Sequence, residues 1–238
     1  MPDRRNNMIN AIVDFFGRLL QFFYLLTKQV GIPNYGLAII IFTFFVKLIL
    51  FPLTKKQYTS MAKMQEIQPE LRRIQQKYKN NPEKSQQEML KLYQKHGVNP
   101  FAGCLPILIQ LPILLALFKA LKDFFDPVKH PDFVNIEKAS FLWVPNLGSP
   151  DPIILPILVG LSTFAQQLVS MRMGAVGGTG DQTQRILLYF MPVFIGYISR
   201  SFPAGLALYW VMYSLFGIIE QILIKRKTVV VKEEAGKK

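Results

Sequence analysis

Cysteine and histidine are nearly absent: one Cys and two His in 238 residues. A lone cysteine excludes an internal disulfide, and so few soft ligands make a structural zinc site improbable. No His-Glu-x-x-His, no Gly-x-Ser-x-Gly and no pair of aspartates inside an apolar run occurs, which ranks an intramembrane enzyme last. The expectation is a protein without catalytic residues or cofactor. No internal repeat of the kind that inverted-repeat transporters carry can be found. Gly174 to Gly180 is rich in glycine but lacks the lysine and helix of a phosphate loop, so it reads as a flexible linker. A targeting peptide is not convincing either. Arg4 and Arg5 precede an apolar region, but Asp14 and Arg18 interrupt it and no small-x-small cleavage site follows. Acidic residues are scarce, 15 against 28 Lys and Arg.

Apolar residues, by contrast, make up half of the chain. Several uninterrupted apolar runs near twenty residues long are more than a soluble domain of this size would hold. The predicted class is an all-α membrane protein with five transmembrane helices, an N-terminal interfacial amphipathic helix and a helical hairpin on the cytoplasmic side. Residues 1–34 carry the amphipathic helix, with Ile9, Ile12, Val13, Phe16, Leu19, Leu20, Phe23 and Leu26 on one face; an uncleaved signal anchor is the competing reading. The first span is 35–54. Residues 55–100 form the polar, basic hairpin, with the first helix bent or broken at Pro69. Asn81 caps the second helix, Pro82 is its first residue and Gly97 its stop. Residues 101–224 hold the second to fifth spans, with an extracytoplasmic loop at 122–151 and a cytoplasmic loop at 172–185. The fourth apolar run, Ile186–Ile198, has only 13 residues, so its helix must begin near Thr183 or cross a thinned bilayer. Residues 225–238 are a basic cytoplasmic tail.

The count of five rests on charge. Residues 55–100 carry ten Lys/Arg, 172–185 two and 225–238 six, whereas 1–34, 122–151 and 199–202 carry four, three and one. Loops rich in Lys and Arg stay in the cytoplasm. The N-terminus is therefore expected outside, the hairpin and C-terminus inside, in the plasma membrane. The basic excess lies where this rule puts it, and no DNA partner is implied.

One residue breaks the first span. Lys47 lies within Tyr35–Leu53, and a lysine at the centre of a membrane helix costs about 2.5–3.5 kcal/mol on insertion scales. Two readings compete: a cation facing a polar cavity, or a side chain stretching to the headgroups about 9 Å away. Thr43 shares its face at i, i+4. Further polar residues lie within later spans: Gln110, Ser162, Thr163, Gln166, Gln167, Trp210, Tyr213, Ser214 and Glu220. Each could line a substrate path or bond a neighbouring helix, and Tyr209 and Trp210 could form an interfacial belt. For Glu220 the candidate partners are Lys47 and Lys225.

Two ordered motifs resemble a known family. The hairpin ends Lys95-His96-Gly97-Val98-Asn99-Pro100 and runs into Gly103-Cys104-Leu105-Pro106-Ile107-Leu108-Ile109-Gln110-Leu111-Pro112. Later comes Phe202-Pro203-Ala204-Gly205-Leu206-Ala207-Leu208-Tyr209-Trp210. With the layout of spans, these resemble the YidC family of membrane protein insertases in its short, five-span form. The resemblance implies a water-filled groove open to cytoplasm and lipid, in which Lys47 stands where the family has arginine. Gln167 matches a groove glutamine and Trp210 a groove aromatic, with Thr43, Gln110, Tyr213 and Ser214 as further groove residues. Thr43 and Ser214 are expected to be reachable by water. Implied partners are nascent membrane proteins and lipid, with the ribosome, the signal recognition particle receptor and a Sec-type translocon as further candidates. The alternative function is a small-solute or ion transporter with Lys47 as its binding site, which leaves the hairpin unexplained.

Overall fold

The structure, a computed structural model, describes residues 3–99, 105–126, 134–135, 139–172 and 181–235. Seven α-helices carry it: α1 Asp3–Gln29, α2 Tyr35–Lys77, α3 Pro82–His96, α4 Leu105–Phe124, α5 Ile154–Arg172, α6 Asp181–Ile198 and α7 Ala204–Ala235. Helix α7 packs between α2 and α5, α6 lies on α5, and α1 packs between α2 and α4.

Helix α2 is the longest, at 43 residues, or about 65 Å at helical rise. Asn34 starts it by accepting a hydrogen bond from the Leu37 amide at 3.1 Å. Of the bend or break expected at Pro69, the break does not occur, and one helix passes through both Pro52 and Pro69. A proline inside a helix costs about 3 kcal/mol, and packing on both sides offsets it here. Before Pro52, Tyr35, Ile39 and Phe42 enter the main core. Beside Pro69, Met64, Ile67 and Leu71 meet Leu92 and Val98 in a separate small core. The first hairpin helix is thus the continuation of the first apolar run.

Local signals place α3 as the sequence predicts. Asn81 accepts from the Lys84 amide at 3.0 Å. Gly97 closes the helix at φ +60°, a left-handed conformation that glycine adopts without steric penalty. On its exposed face Lys91 donates to Glu88 at 2.7 Å, and this bond holds the Glu88 carboxyl below its ordinary range.

Aromatic rings fill the end of the bundle remote from the hairpin. Tyr24 of α1 stacks on Tyr35 at 3.9 Å, and the Phe124 and Phe125 rings meet Tyr35 edge-on at 5.6 and 5.3 Å. Alongside them, Asp151 caps α5 by accepting from Ile153 and Leu155 at 3.0 and 3.1 Å, and also takes the Trp143 indole N–H at 2.8 Å. The Gly205 amide donates to Leu147 at 2.7 Å, which ties the start of α7 to the same loop.

Outward-facing residues are apolar too. Leu48, Ile49, Leu161 and Val193 are all more than half exposed, a surface that suits hydrocarbon rather than water. Among the described residues, α2, α5 and α7 contain stretches long and apolar enough to cross a membrane.

Candidate functional site

The helical arrangement turns Lys47 inward. Its neighbours Leu48 and Ile49 are each 59% exposed, while Lys47 is 5% exposed. Its ammonium donates to Glu220 Oε2 at 3.1 Å and sits 3.6 Å from the centroid of the Tyr213 ring. An ammonium over an aromatic face gains about 2 kcal/mol when desolvated. Of the two candidate partners for Glu220, Lys47 is in contact with it, and the side chain of Lys225 lies outside the described residues. The ammonium is held within the bundle, not extended toward a helix end.

Spacing along α7 builds the opposite wall. Tyr213, Gly217 and Glu220 follow one another at four and three residues, so they share a stripe. Gly217 has a steric reason. A Cβ there would stand 3.2 Å from Lys47 Nζ and 2.5 Å from Gln166 Nε2. The bare backbone lets the α2 ammonium and the α5 amide come close to α7 without either side chain having to shift.

A second polar group lies on the adjacent stripe. Gln221, fully buried, donates through Nε2 to the Tyr58 hydroxyl at 2.6 Å and to Ser170 Oγ at 2.8 Å. It joins α7 to α2 and α5. Sequence reasoning missed Gln221 and Tyr58. The available signal was the seven-residue spacing from Ser214 to Gln221, two polar residues on one face of an apolar helix.

The other expected groove residues divide. Trp210 is half-buried and its indole N–H donates to Thr163 Oγ1 at 3.2 Å, linking α7 to α5. Gln167 is half-buried on α5. Thr43 and Ser214 were expected to be reachable by water, and this needs correction: they are 0% and 1% exposed. The Thr43 hydroxyl is spent on its own helix, donating to the Ile39 carbonyl at 2.6 Å. Gln110 lies on α4, but its side chain falls outside the described residues. The Lys47 ammonium is thus buried and paired with Glu220, one of the two pairings the sequence left open.

A concavity of about 640 Å³ lies elsewhere, between α5 and α6, lined by residues such as Pro156, Gly160, Phe164, Val193 and Arg200. Its lining is mostly apolar, with Tyr189, Tyr197 and Arg200 as its polar-tipped residues, and it contains none of the Lys47 cluster. The distinctive chemistry of the molecule is therefore at the buried cluster and not in this cavity.

Known proteins resemble this chain over most of its length. The family model of the 60Kd inner membrane protein matches residues 25–233. "Membrane protein insertase YidC" of Oceanobacillus iheyensis is 47% identical over 212 residues, covering 85% of this chain and 80% of that protein. The protein of the same name in Fusobacterium nucleatum is 42% identical, covering 86% and 93%. The Aquifex aeolicus protein is 39% identical over 92% of this chain, yet this chain spans only 40% of it. A crystal structure of an active YidC insertase superimposes with a TM-score of 0.65 at 28% identity, over 92% of this chain and 50% of the other.

Proposed function

Because this chain belongs to the family of the 60Kd inner membrane protein and the YidC insertases, we propose that it inserts hydrophobic polypeptides into the bilayer and shields them until release. The observation that carries the reading is a charged and amide-lined cluster, with Lys47, Glu220 and Gln221 buried and Gln166 half-buried, among helices of membrane-spanning length. Such groups are expensive in hydrocarbon and signal a polar task inside the membrane.

In this proposal five helices cross the plasma membrane: the first part of α2, then α4, α5, α6 and α7. The amphipathic α1 lies at the outer surface, and the hairpin and tail face the cytoplasm. At 18 residues, α6 reaches about 27 Å by helical rise, nearly the hydrocarbon thickness, with Asp181 and Arg185 at the headgroups.

Insertion requires no covalent step. A polar segment of the cargo must pass a low-dielectric slab, and side chains of opposite charge or hydrogen-bonding capacity lower that barrier. When α2, α5 and α7 part, Lys47, Gln167, Trp210, Tyr213, Ser214 and Thr43, with Gln110 from α4, would form a positively charged, hydrophilic groove. The apolar flanks of the cargo then pass sideways into lipid. Lysine retains the charge that a family arginine would supply but not its planar fork, so charge rather than bidentate geometry does the work. The exposed basic surface of the hairpin suits capture of nascent chains, alone or beside a ribosome, a signal recognition particle receptor or a Sec-type channel.

The test is reconstitution. Synthesis of a single-span cargo in the presence of vesicles carrying this protein should protect the cargo's translocated segment from protease. Protection no greater than in protein-free vesicles would refute the reading.

A further inference from the structure

The buried cluster contains its own anion. Two contacts hold Lys47 in place, the Glu220 carboxylate and the face of Tyr213. Glu220 is held less completely. Its Oε2 takes the ammonium at 3.1 Å, while its buried Oε1 has no hydrogen-bond partner among the described residues. Ser214 Oγ, buried two turns earlier on α7, is likewise unpartnered. A carboxylate has about four lone-pair sites, and a purely structural ion pair normally fills them with donors. The pair is therefore asymmetric, with the cation better anchored than the anion.

At Gly217 the Lys47 ammonium and the Gln166 amide both come close to the α7 backbone. A side chain there would press on both Lys47 and Gln166. The space against α7 is also bounded by Gln166, whose amide can donate to an oxygen anion. These features describe a receptor for one carboxylate, occupied by a carboxylate of the same chain.

We propose that Glu220 is a resident substitute for an acidic side chain of the incoming polypeptide, and that an Asp or Glu of the cargo binds by displacing it from Lys47. This rests on the insertase reading and adds a specificity-determining residue to it. The pair is neutral when empty, so the site presents no bare cation to lipid between rounds. A cargo carboxylate must compete with Glu220, which moderates preference for acidic segments. Departure of Glu220 also releases the α2–α7 contact, so exchange and parting of the helices are one event. When the cargo leaves for lipid, Glu220 returns and the bundle closes.

The experiment uses the full chain in vesicles of phosphatidylethanolamine and phosphatidylglycerol, with two cargoes that differ by one Asp or Asn in the translocated segment. The quantity read is the ratio of protease-protected Asp cargo to Asn cargo. Glu220→Gln, which removes the competing charge, should raise that ratio about tenfold over wild type. Glu220→Asp keeps the charge but withdraws it by one methylene, so it should raise the ratio by a smaller factor and covers the case in which Glu220→Gln does not fold. In the neutral double variant Lys47→Gln with Glu220→Gln the ratio should fall to near one. A ratio unchanged or lowered in both single variants would overturn the proposal while leaving the insertase reading intact. Wild type that protects neither cargo above protein-free vesicles would overturn both.

Discussion

At the scale of single residues, 173 positions of sequence separate Lys47 from Glu220, and 3.1 Å of space. Removing one partner of a buried pair costs about 3–5 kcal/mol because the other charge is left uncompensated. Lys47→Met should accordingly lower the thermal midpoint of the solubilised protein more than the double replacement Lys47→Met with Glu220→Gln does. A deeper loss in the double variant would mean that the pair does not act as a unit. Gln221→Ala should cost about 1–3 kcal/mol, since it leaves the Tyr58 hydroxyl and Ser170 without their amide donor. A melt indistinguishable from wild type would show those bonds to be replaceable. Gly217→Ala makes the Gln166 amide swing aside and sets a methyl against Lys47, but alanine suits a helix better than glycine, so the net change should stay within about 1 kcal/mol. Lys47 was legible in the sequence because a charge inside an apolar run is conspicuous by itself. Its partner was legible only as one of two, and the Gln221–Tyr58–Ser170 link not at all. A hydrogen bond among three helices depends on their rotation about their axes, which no local pattern specifies. The burial of Thr43 and Ser214 escaped for the same reason: polarity alone does not say which face of a helix meets its neighbours.

At the scale of elements, the hairpin has its own small core of Met64, Ile67, Leu71, Leu92 and Val98. Leu71, 1% exposed, should cost about 2–5 kcal/mol as Leu71→Ala. Limited proteolysis should then cut residues 55–99 sooner while the membrane-length parts of α5 and α7 stay protected. Equal loss of protection in both regions would show that hairpin and bundle unfold together. The ends of α3 were readable because Asn81, Pro82 and Gly97 act within one turn of themselves. The course of α2 was not. Proline at 69 is a local signal for a break, but the packing of Leu71 and Ile67 against α3 is tertiary and overrides it. That continuity joins the hairpin directly to the stretch that carries Lys47.

At the scale of the whole molecule, charge distribution and apolar runs together conveyed an all-helical membrane protein before any coordinates. The order of packing, with α7 between α2 and α5, could not be read that way, because five apolar runs of similar character can be arranged around one another in many ways. It is this order that brings an α2 lysine, an α5 glutamine and an α7 glutamate to one point. The proposed insertase activity depends on the point carrying a usable positive charge once the helices part. The most direct measurement compares protease protection of an acid-bearing cargo in vesicles holding wild type, Lys47→Arg, or the neutral double variant Lys47→Gln with Glu220→Gln. Lys47→Arg should retain yield within about twofold and the neutral variant should lose about tenfold or more. Equal yields from all three would contradict the account.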